Sequence, residues 1–159
     1  RKRTMTHAEL QPLSSLLSHA ERERDEALAH RQHMQQALES ARAQAEQLVA
    51  YRRDYEQRWS QRFTEAGQVQ LLHRYHGFVT RLTQAIEHQQ RVVVQAERQL
   101  ERALELLQQQ ELRVASVLKL VERRIAEIEK LGAQREQRSL DELASRAAWN
   151  RLAAATTRF

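Results

Sequence analysis

The stretch that decides the fold is Tyr55–Phe78, YEQRWSQRFTEAGQVQLLHRYHGF. Tyr55, Trp59 and Phe63 recur every fourth residue and Tyr75 and Phe78 are three apart, the spacing of one helix face on either side of the centre. Between them lies Gly67, which has no Cβ and so fits a left-handed helix cap. This predicts a helix, a turn between Thr64 and Val69, and a second helix.

Upstream, steps of four and three residues connect Leu13, Leu17, Ala20, Ala27, Met34, Leu38, Ala41, Ala45, Leu48, Tyr55 and Trp59. Arg24, Arg31, Arg52 and Arg62 interrupt this seam, and their stems can lie along it. Downstream the same steps connect Leu72, Tyr75, Val79, Leu82, Ile86, Val93, Ala96, Leu100, Ala103, Leu107, Val114, Val117, Val121, Ile128 and Leu131, with Gln89, Gln110 and Arg124 between them. These are heptad seams. Two long helices joined by a short turn lie antiparallel, so residue i should face roughly residue 133 − i. The predicted fold is all-α, an antiparallel two-helix coiled-coil hairpin. Helix one covers about 10–64, with Pro12 in its first turn, where a missing N–H costs nothing. Helix two covers about 69–132 or beyond.

Past that point Gly132 is followed by Ser139-Leu140-Asp141-Glu142, a capping-box pattern. It predicts a break between Gly132 and Ser139 and a short helix over 140–153, with Leu140, Leu143, Ala144, Ala147 and Leu152 on one face. This end has no partner on the first helix. A hairpin has no enclosed core, so partners are expected to complete it.

Composition agrees. The 159 residues include three glycines, one proline and no cysteine, with 5% aromatic and 30% charged residues. That suits long helices and excludes sandwiches, barrels and disulfide scaffolds. The absence of cysteine fits a reducing compartment. The net charge is +5, of which Arg1, Lys2 and Arg3 supply three. Met5 reads as the natural start, and without those three residues the charge falls to +2. Acidic and basic residues alternate, so no nucleic-acid stripe is expected. No run is long and apolar enough to span a membrane.

Chemistry is sparse. His30 with His33, and His73 with His76, are spaced for one helix turn, but zinc needs three or four donors. No glycine-rich phosphate loop or nucleophile elbow occurs. The reading is a non-enzyme without cofactors.

The aromatics are few and gather at the turn. Gln44, Leu48, Tyr51 and Tyr55 are spaced four, three, four, and so are Phe78, Leu82, Ala85 and Gln89. Antiparallel pairing sets 44 against 89, 48 against 85, 51 against 82 and 55 against 78. The strips should form one surface from both helices. Leu48, Tyr55, Leu82 and Gln89 are also seam positions, so only their outer edges would be available. The alternative is that the aromatics pad a splayed tip.

Tyr51-x-x-x-Tyr55, Tyr75-x-x-Phe78-x-x-x-Leu82-x-x-Ala85-Ile86 and Asp141-Glu142-x-Ala144-x-Arg146-Ala147-Ala148 follow one another in an order and separation that resembles the FliJ family of flagellar export proteins. The resemblance runs from Leu13 to Trp149. It implies a coiled-coil hairpin similar to the central stalk of rotary ATPases. It also implies a cytoplasmic component of the flagellar type III export apparatus, peripheral at the inner membrane and not inserted. Such a protein would bind the export ATPase ring and the cytoplasmic part of the export gate, and escort substrate chaperones. The family's gate-binding strip falls on Gln44, Leu48, Tyr51, Tyr55, Phe78, Leu82 and Ala85, with Gln89 where the family often has histidine. The stalk analogy places the terminal end in the ATPase ring, with Leu16, Leu17, Leu140, Leu143 and Arg146 as candidate contacts. The stalk of a virulence type III secretion system and a plain coiled-coil spacer are the alternatives.

Overall fold

The computed structural model describes residues 2–66 and 69–157, with side chains for 8–63 and 69–157. Helix α1 is Lys2–Ala66 and helix α2 is Val69–Thr156, and no strand occurs among the described residues. The helices pack against each other, and the fold is an all-α helical hairpin. The expected Gly67 cap lies outside the described residues, as do the side chains at the Met5 start. Contacts group the chain into two compact units, a middle one of Arg22–Glu111 and a terminal one of Arg1–Glu21 with Leu112–Phe159.

In the middle unit Ala27, Leu38, Ala41, Leu82, Ile86, Ala96, Ala103 and Leu107 are buried. Every one lies on a predicted seam. Gln44 meets Gln89 and Tyr55 meets Phe78, as the antiparallel rule requires. Arg42 pairs with Glu97 at 3.3 Å and Arg52 donates to Thr83 at 3.3 Å. The seam's polar interruptions carry a cost, since Arg31 Nε and Gln110 Oε1 are buried without a hydrogen-bond partner. One seam position shifts. Leu72 is 42% exposed, and Leu71, four residues before Tyr75, is the half-buried neighbour.

In the terminal unit Ala20 and Val117 are buried, and Leu10, Leu13, Leu17, Val114, Val121 and Ile128 are half-buried. Two expectations are corrected here. First, α1 begins at Lys2, so Pro12 lies inside the helix and not in its first turn. Contacts with α2 favour the extra turns. Leu10 packs half-buried, and Glu9 reaches Arg124 at 3.9 Å while Arg124 also bonds Glu127 at 3.0 Å. Second, α2 runs unbroken through Gly132 and Ser139, so 140–153 is not a separate helix. Gln137 donates to Asp141 at 3.3 Å across the expected break. A lone glycine costs about 1 kcal/mol in a helix, too little to stop one flanked by Leu131, Ala133, Gln134, Arg135 and Glu136. From Glu129 to Thr157 every residue is exposed.

Candidate partner-binding surfaces

The aromatic surface belongs to the middle unit. Tyr55 is its hinge point. Its ring lies 4.4 Å from Phe78 and stacks on Tyr75 at 5.8 Å with an 8° interplanar angle. Trp59 lies 5.9 Å from Tyr55 and 5.6 Å from Phe63, and Phe63 meets Tyr75 edge-on at 5.3 Å. Arg62 caps the group, 5.5 Å above the Trp59 ring. Tyr55, Trp59, Phe63 and Tyr75 thus satisfy one another and are half-buried, which is the padding role. Burial pushes the Tyr75 phenol above its ordinary 10.0, and the nearby Glu56 and Tyr55 add to the rise.

Tyr51 behaves differently. It is 52% exposed and touches Phe78 edge-on, with ring centres 6.3 Å apart. Gln44 and Ala85 are exposed, and Leu48, Phe78 and Gln89 are half-buried. Leu82 is only 8% exposed and belongs to the seam. The two predicted strips therefore do come together, with Tyr51, Phe78, Ala85 and Gln44 offering most of the outer face. One heptad beyond Gln44 and Ala85 the same flank carries Ala37, which is exposed, and Val92, 37% exposed. Neither was among the residues singled out in the sequence. The signal was present, because that flank reads Ala37, Gln44, Tyr51 on α1 and Phe78, Ala85, Val92, Gln99 on α2 without a charge. Flanking heptad positions are usually charged.

The terminal unit carries the other candidates. Leu16 is 38% exposed, and Leu17 lines a shallow groove with Leu10, Gln11, Ser14 and Val121. On the α2 tail Leu140 and Leu143 are 61% and 59% exposed, and Arg146 is exposed. At 3.6 residues per turn Leu152 lies about 120° round from Leu140, so it does not share that face. It sits instead one turn from Trp149, which was not singled out and is 73% exposed.

No group of three metal-binding side chains occurs among the described residues, and no helix there is long and apolar enough to cross a membrane. The sequence pattern described as Flagellar FliJ protein matches residues 9–153. The chain belongs to the FliJ family. FliJ membership makes it a component of the flagellar protein-export apparatus, with an adaptor's role. Comparison with curated proteins and with solved structures gives no match.

Proposed function

We propose that the chain is the stalk and adaptor of the flagellar export apparatus. It binds the cytoplasmic part of the export gate through the aromatic-edged surface of its middle unit. It engages the export ATPase ring through Leu16, Leu17, Leu140, Leu143 and Arg146 of its terminal unit, and it escorts substrate chaperones. The observation that carries this reading is the exposed tyrosine edge. Tyr51 is 52% exposed on an uncharged flank built from both helices, beside an aromatic group that is otherwise self-satisfied. A large ring kept half at the surface, with one edge-on aromatic contact, fits an interface anchor. Family membership supports the flagellar system over its virulence counterpart.

A pull-down from the native cell should recover the export ATPase and the gate. Replacing Tyr51 by alanine should cost gate binding about tenfold or more, the range of an aromatic anchor. Helix content and melting midpoint should hold, because exposed substitutions usually stay within about 0.5 kcal/mol. Loss of folding with no separate binding defect would assign Tyr51 to the padding instead.

A further inference from the structure

At the rim of the tyrosine surface the hydrogen bonds have a defined direction. Gln89 lies half-buried in the seam, and its amide nitrogen donates to the Ala41 backbone carbonyl at 3.0 Å. A backbone carbonyl can only accept, so this contact settles which end of the Gln89 amide points where. The same nitrogen lies 3.2 Å from the Gln44 side chain, and that partner atom must be an acceptor, Oε1. Both Gln89 N–H bonds are then spent, one on each helix-α1 partner. Gln44, accepting through its oxygen, is left with an amide nitrogen carrying two donors. Gln44 is exposed, and among the described residues that nitrogen has no acceptor.

We propose that Gln44 is a fixed hydrogen-bond donor for the partner of this surface, and that Gln89 is a positioning residue that holds it from within the seam. The partner must then place an acceptor, a backbone carbonyl or a carboxylate, at the edge of an otherwise uncharged apolar contact. This rests on the gate reading above and adds its polar specificity. The flank around Gln44 suits such a contact. Ala37, Tyr51, Ala85 and Val92 bring no charge and no competing acceptor apart from the Tyr51 hydroxyl. The ion pair of Arg42 with Glu97 between the helices lies on the other flank of the heptad.

The test is binding of the full chain to the purified cytoplasmic part of the gate. Gln44→Glu is nearly isosteric and still accepts from Gln89, but it cannot donate outward. It should weaken binding about tenfold. Gln44→Arg keeps outward donors but cannot accept from Gln89, so it should bind better than Gln44→Glu and severalfold below native. An advantage over Gln44→Glu that fades with added salt would identify a carboxylate, and one that is salt-independent would identify a carbonyl. Gln89→Leu should weaken binding severalfold while helix content and melting midpoint hold or rise, since it adds an apolar residue to the seam. In the Gln44→Glu background it should add no further loss, because both changes remove the same oriented donor. Native-strength binding by Gln44→Glu, or fully additive losses in the pair, would overturn the assignment. Tyr51→Ala, measured alongside, separates the two ideas. If Tyr51→Ala binds weakly and Gln44→Glu normally, only the donor assignment fails. If neither weakens binding, the gate reading itself fails.

Discussion

Tyr75 joins the two sides of the aromatic group, stacked on Tyr55 and edge-on to Phe63. Its phenol is pushed above 10.0, first by burial and then by Glu56 and Tyr55, so the fold favours the protonated form. The sign follows. A folded value above the unfolded one makes the contribution complete below 10.0 and lost as pH rises through the raised value. The difference in tyrosinate absorbance between the native chain and Tyr75→Phe should therefore emerge above the ordinary tyrosine range. Alkaline unfolding should also begin at lower pH in the native chain than in Tyr75→Phe, which cannot ionise. A Tyr75 titration at or below 10.0 would contradict the burial described. At this scale the sequence was only partly legible. Spacing placed Tyr51 and Phe78 on one flank. It also put Tyr55 on the seam and Tyr51 beside it. That Tyr55 stacks on Tyr75 while Tyr51 meets Phe78 edge-on depends on ring angles, which spacing does not encode.

At the scale of the element, two residues oppose helix formation without stopping it. A Cβ added at Gly132 would meet nothing within 4 Å. Gly132→Ala should gain about 1 kcal/mol of local helix stability. Amide exchange around residues 129–136 should slow about fivefold by the same free energy. Unchanged exchange would mean that α2 is already fixed there by something other than its own propensity. Pro12 removes a backbone donor inside α1, so Pro12→Ala should raise stability by up to about 3 kcal/mol, visible as a higher melting midpoint. The heptad seams were readable because a repeat sustained over many turns leaves few alternatives. Leu38, Ala41, Ile86, Ala96 and Leu107 are buried where that repeat puts them. The break at Gly132–Ser139 was misread because a capping box is a local signature. A cap is typically worth about 1 kcal/mol and competes poorly with a run of good helix formers. The early start of α1 was hidden because Glu9 finds its partner, Arg124, only across the hairpin on α2.

At the scale of the molecule, the candidate surfaces fall in different compact units. The tyrosine surface belongs to the middle unit, and the exposed α2 tail, with Leu140, Leu143 and Trp149, belongs to the terminal one. In the proposed stalk and adaptor these surfaces serve different partners. The structure offers a clean way to separate them. Every residue from Glu129 to Thr157 is exposed, so a chain ending at Gly132 keeps all the half-buried and buried contacts of both helices. The deciding measurement compares this shortened chain with the native one for gate affinity and for stimulation of the export ATPase in the same preparation. Gate affinity should stay within about twofold, while stimulation should fall about tenfold or more, as expected when an apolar anchor cluster is removed. Full stimulation together with loss of gate binding would overturn this division and assign the two surfaces the other way round.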